Sequence, residues 1–173
     1  MNTNVIRSLV WLFLCVQIIF FVLAWTTFEP AMGPMVVKMS ATGVDPAAKL
    51  AMTQGQRALC AAIALPALLA LGYGLWRLDR LLLNFRRQHL FTSESIGHLR
   101  VFAGATLLST ILSIVETPTR TLALWAGRKG DLEFTVGVNS EQLMLMLVCA
   151  LFYLITRLMQ EGRRLAEENE SFI

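Results

Sequence analysis

Four long apolar stretches, at 8–28, 58–76, 99–115 and 142–156, leave this chain few folds to choose from. Apart from Arg100, at the edge of the third, none of them holds an acid or a base. The first is 21 residues long, about 31 Å of helix, enough to cross a hydrocarbon core of roughly 30 Å. In lipid every backbone polar group must be satisfied within the protein, so stretches of this kind become helices. Composition agrees: 55% of the residues are hydrophobic and 16% charged, against about 45–50% and 25% in soluble domains. The expected fold is therefore an all-α membrane protein, one domain over 1–173, built as a bundle of four transmembrane helices.

The first stretch is too long for the core of a secretory signal and lacks a small-residue cleavage site after it. It is read as an uncleaved span, with Trp25 and Phe28 placed for an interfacial belt. Orientation follows from lysine and arginine. The N-terminus, the loop 77–98 with Arg100, and the tail 157–173 hold one, five and three of them. The two remaining loops hold three each. By the positive-inside rule the first set is cytoplasmic, so both termini are expected to face the cytoplasm.

Local signals refine the spans. Pro30, Gly33 and Pro34 end any helix leaving the first. Asp45-Pro46 reads as a cap and first position of a helix running straight into the second span. Pro66 should kink that span, while Gly72 and Gly74 permit close approach of a neighbour. Beyond Trp76, Leu78, Leu81, Leu82 and Phe85 form the apolar side of an extension into the cytoplasm. Thr92 is the expected N-cap of the third helix, with Glu94 in its first turn and Phe91 and Ile96 at staple spacing. The third span is drawn to end at Val115, which puts Glu116 at the opposite interface; Glu116 and Arg120 would pair only if the helix survives Pro118. Asn139 and Gln142 resemble a capping box at the start of the fourth helix, which continues beyond Arg157 to about Glu168, with Gly162 a weak point. MVVKM (35–39) and LEFTV (132–136) have strand composition and are expected to pair as a small extracytoplasmic sheet.

Little in the sequence carries chemistry. Cys15, Cys60 and Cys149 all lie in apolar stretches, without a C-x-x-C pair, and read as small hydrophobes. His89 and His98 are nine apart with no cysteine near, too few for a zinc site, and no histidine lies in a span to ligate haem. No nucleophile-elbow, zincin or P-loop pattern occurs. Gln17 and Tyr73 are the more polar residues within spans and read as interhelical hydrogen bonds. No cofactor, metal or catalytic residue is expected, and direct nucleic-acid binding is not expected from a net charge of only +3.

Two stretches, RLLLNFRRQHLFTSESIGHLRVFA and QEGRRLAEENESFI, resemble the bacterial domain-of-unknown-function family 2975. The matching positions are Phe91, Thr92, Glu94 and Leu99, then Gly162, Leu165, Glu167, Glu168, Asn169, Glu170 and Ile173. The chain departs from the family at Gln88-His89-Leu90, at Ser95 and at Ser171-Phe172. The resemblance implies a small four-span inner-membrane protein whose relatives are often encoded beside a small helix-turn-helix regulator. It thus implies a non-enzymatic partner that holds such a regulator through its cytoplasmic loop and tail. The candidate partner-binding residues are Arg86, Arg87, Phe91, Thr92, Glu94, Gly162, Leu165, Glu168 and Asn169. Packing of Leu78, Leu81, Leu82 and Phe85 against Leu158, Met159 and Leu165 would build the platform, with Arg86 and Arg87 near Glu161, Glu167 or Glu168. A basic loop that only touches anionic lipid is the plainer reading. A small transporter or channel-like subunit is the alternative function.

Overall fold

The computed structural model describes residues 3–26, 31–32, 35–36, 51–86, 92–125 and 138–170. Four long helices dominate: α1 (Thr3–Trp25), α2 (Gln54–Arg86), α3 (Ser93–Trp125) and α4 (Ser140–Glu170). All four are long and apolar enough to cross a membrane. A minimal hairpin, β1 (Ala31–Met32) and β2 (Met35–Val36), follows α1, with Ala31 opposite Val36 and Met32 opposite Met35. The strand expected at 35–39 thus exists in part, but its described partner is the segment just before it. Residues 132–136 lie outside the described residues.

Helix starts are set by side chains that take up otherwise orphaned N–H groups. At α2, Gln56 N–H donates to Thr53 Oγ1 (3.3 Å) while Thr53 N–H donates to Gln56 Oε1 (3.0 Å), a reciprocal capping box. This corrects the expectation of one helix running from Asp45 into the second span. The chain breaks at Met52–Thr53 and caps a new helix there, because the box offers the backbone a better terminus than a continued turn. At α3, Ser95 N–H donates to Thr92 Oγ1 (3.3 Å), so Thr92 is the N-cap as expected, and Ile96 beside it is almost fully buried. At α4, Asn139 N–H donates to Gln142 Oε1 (3.0 Å).

The helices overrun the spans drawn from the sequence. α2 and α3 are each 33 residues, about 50 Å. α3 passes through Pro118 and continues to Trp125, so Glu116 and Arg120 lie within a continuous helix, 3.5 Å apart as an ion pair. Hydroxyls on both sides of the proline donate to carbonyls of their own helix, Ser113 to Thr110, Thr119 to Val115 and Thr121 to Thr117.

Neighbours pack in chain order, α1 on α2, α2 on α3 and α3 on α4, with the α2–α3 contact the most extensive. The two glycines of α2 serve different partners. A Cβ on Gly74 would stand 3.2 Å from Ala105 Cβ and 3.5 Å from the Phe102 carbonyl, both on α3. A Cβ on Gly72 would meet Leu14 of α1 at 3.6 Å. Around Gly74 the buried residues of α3 are small or polar, Ala103, Ala105, Thr106 and Thr110, as expected where van der Waals packing rather than hydrophobicity draws helices together. A second core, Ala24, Trp25, Cys60 and Ala64 with Phe21 and Leu124, joins α1, α2 and α3 at the far end.

Candidate functional site

Polar side chains gather at two ends of the bundle, and each end has its own chemistry. The first end joins the start of α1, the end of α2, the start of α3 and the end of α4. Asp79 is buried, and Arg7 grips it twice, Nε to Oδ1 at 2.7 Å and Nη2 to Oδ2 at 3.3 Å. Such a forked, charge-assisted pair fixes direction as well as distance. Arg77 donates to the Tyr73 hydroxyl (3.0 and 2.7 Å) and lies 3.4 Å from His98 Nδ1 on α3. Its guanidinium also sits over the rings of Tyr73 and Trp76, and Arg80 covers Trp76 in turn. Arg100 of α3 donates to the Tyr153 hydroxyl of α4 and lies over its ring. Arg163 of α4 donates to Ser93 Oγ, which locks the tail to the start of α3.

The candidate residues read from the sequence fall mainly at this end. Thr92 caps α3. Glu94 is exposed, 3.6 Å from His98. Gly162, Leu165 and Glu168 lie on α4, with Leu165 exposed and Glu168 held by Arg164 at 2.9 Å. Arg86 and Asn169 are helical; Arg87 and Phe91 lie outside the described residues. The expected platform differs in its packing. Leu81 and Leu82 are buried, but Leu158 and Leu165 stay exposed, because α3 stands between α2 and α4. Glu161 and Glu168 pair with Arg164 on their own helix, where side chains three and four apart are already neighbours.

At the opposite end the helices part around a cleft of ≈ 440 Å³. Its floor is α2 and α3, and its sides are α1 and α4. α3 supplies a polar stripe of Thr106, Ser109, Thr110, Ser113 and Glu116. α1 contributes Gln17, Phe20 and Phe21, and α4 brings Glu141 and Gln142. Ser109 Oγ donates across to the Ala67 carbonyl of α2 (2.8 Å), and Gln142 Nε2 donates to Ser113 Oγ (3.4 Å). Behind Glu116, Arg120 is buried with its guanidinium 5.5 Å from the Trp25 ring centroid.

Neither the Arg7–Asp79 fork nor this cleft was read from the sequence. The fork joins residues 72 positions apart, and nothing local announces it. The cleft had a signal. Residues 106, 109, 110, 113 and 116 recur at helical spacing, so the polar groups of α3 share one face. Ending the span at Val115 hid its last member.

No curated protein and no solved structure matches the chain. The family described as "Protein of unknown function (DUF2975)" matches residues 12–173, nearly the whole length. The chain belongs to that family.

Proposed function

We propose that this protein is a non-enzymatic inner-membrane partner that holds a small cytoplasmic helix-turn-helix regulator, with both termini in the cytoplasm. The observation that carries this reading is the length and surface of α4. It is 31 residues, about 46 Å, where roughly 30 Å suffices to span. In the proposed topology its last turns extend into the cytoplasm, with exposed Leu158 and Leu165 among Arg157, Glu161 and Arg164. Exposed leucines within a charged surface suit a protein partner. The fixed start of α3, tied to the same tail by Arg163 and Ser93, extends the surface to Thr92 and Glu94.

The test is capture from native membranes in mild detergent. The full chain should co-purify a helix-turn-helix protein, and a chain lacking 162–173 should insert normally but lose it. Retention by the truncated chain removes the tail from the surface and overturns the reading. A second reading, a small transporter or channel-like subunit, draws on the cleft between α1 and α4. Solute flux into liposomes that depends on the protein would support it.

A further inference from the structure

The cleft offers hydrogen-bond acceptors in excess. Four hydroxyls line it, and each has already given its proton to a helix carbonyl: Thr106 to Phe102 (2.9 Å), Ser109 to Ala67 (2.8 Å), Thr110 to Thr106 (3.0 Å) and Ser113 to Thr110 (2.7 Å). A hydroxyl that has donated retains lone pairs to accept with. Glu116 and Glu141 add carboxylates, which when ionised only accept. Among the described residues no lysine or arginine lines the cleft. Arg120 is not among the lining residues; it is paired to Glu116 and lies over the Trp25 ring. Glu141 and the Gln17 amide have no hydrogen-bond or ionic partner among the described residues. A ligand that satisfies this lining must donate, and the carboxylate of Glu141, unpaired among the described residues, favours a cation, Glu116 being already balanced by Arg120.

The remaining walls are apolar. Phe20 and Phe21 of α1, Leu68 and Leu71 of α2 and Leu145 of α4 face the same space. Because α1 packs on α2 and α4 on α3, the cleft is open along the side, toward the acyl chains of a bilayer. Its ≈ 440 Å³ falls within the size range of small-molecule sites, about 300–1,000 Å³.

We propose that this cleft binds an amphipathic ammonium, with N–H groups directed to Ser113, Glu116 and Glu141 and a hydrocarbon or aromatic body against Phe20, Phe21 and Leu68. Two sources share that chemistry, the ammonium of a phosphatidylethanolamine headgroup and a free lipophilic amine. The inference does not depend on the docking reading above, since it concerns the other end of the bundle.

The probe is dansylcadaverine, a primary ammonium on an aromatic body, added to the full chain in phosphatidylcholine nanodiscs, whose own headgroups carry no N–H. Trp25 lines the cleft, so binding reads as tryptophan-sensitised dansyl emission. The expected result is saturable emission above that of empty discs. It should weaken by about tenfold or more in Glu116→Gln and in Ser113→Ala, given the strength of charge-assisted hydrogen bonds. The matched carboxylate, dansyl-aminohexanoate, should bind at least about tenfold more weakly. Glu116→Gln could disturb Arg120, so Glu141→Gln, at an exposed helix start, provides a second variant, expected to bind more weakly with unchanged helicity. Discs containing phosphatidylethanolamine decide the source: competition with the probe supports a lipid headgroup, and undiminished binding supports a free amine. Equal binding of the two dansyl probes, or binding unchanged in both Ser113→Ala and Glu141→Gln, overturns the proposal. Deletion of 162–173 should leave probe binding intact, which separates failure here from failure of the docking reading.

Discussion

The inner pair α2–α3 and the outer helices α1 and α4 solve the same problem in different ways. Between α2 and α3 the contact is close and made of small residues, with Gly74 against Ala105 and the buried Ala103 and Thr106 nearby. The outer helices present large side chains outward: Leu9, Leu12 and Ile19 on α1, Leu147, Leu151 and Leu154 on α4. In water such surfaces would be an aggregation hazard; in lipid they are the solvated face. Apart from the small core of Ala24 and Trp25 with Cys60 and Ala64, burial therefore does little to hold α1 and α4 in place, and specific polar and ring contacts do so instead. α1 is pinned by Arg7 to Asp79 at one end and by Trp25 under Arg120 at the other. α4 is pinned by Tyr153 to Arg100, by Arg163 to Ser93 and by Gln142 to Ser113. The lesson is that close packing of small residues holds the centre of this bundle, and mostly polar and ring contacts fasten its edges.

Gly74→Leu should break the inner pair most severely. The added side chain meets Ala105 and the Phe102 backbone, and overpacking of this kind costs about 1–3 kcal/mol. A thermal melt in detergent should show the loss, whereas Gly104→Leu on α3, with open space around it, should melt near the parent. Next comes Arg7→Leu, which strands the buried Asp79. It should loosen α1 while leaving α2–α3 intact, seen as faster proteolysis confined to the N-terminal helix. The double change Arg7→Leu with Asp79→Leu should recover part of the protection; no recovery would mean the fork does not hold α1. Ser109→Ala removes one interhelical bond, to the Ala67 carbonyl, and should cost about 0.6 kcal/mol, the average for such bonds in a membrane. The smallest effect belongs to Arg164→Ala on the tail. Its partners Glu161 and Glu168 are exposed, so a loss of about 0.3–0.5 kcal/mol or less is expected. A larger loss would show that the tail packs on something.

Sequence and structure meet where the deciding signal is local. The number of spans, the Thr92 cap, the Asn139–Gln142 start and the role of Gly74 in close approach could all be read from a few adjacent residues. Boundaries fared worse, because proline invites a stop. At Pro118 the helix does not stop but runs on to Trp125. The direct meeting of α2 and α4 was misjudged for another reason. An antiparallel bundle brings all four ends together only when it closes, and here α3 separates the two extensions. Of the candidate partner surface, Thr92, Glu94 and the α4 residues could be placed. The cleft depends on long-range arrangement, and only the periodic hydroxyls of α3 hinted at it.

The charged residues of the inner pair also amount to a ruler. Arg57 and Arg77 on α2 are twenty positions apart, and so are Arg100 and Arg120 on α3. Twenty residues of helix rise about 30 Å, the thickness of an average hydrocarbon core. The two antiparallel helices thus carry matched pairs of arginines one bilayer apart, with Trp76 and Tyr153 among the aromatic residues at one level and Trp25 at the other. A helix pair graduated in this way matches a membrane of that thickness. A much thinner or thicker bilayer imposes mismatch, at a fraction of a kcal/mol per Å. Because Glu116 lies one turn inside the Arg120 level, a change of thickness there would fall first on the mouth of the cleft.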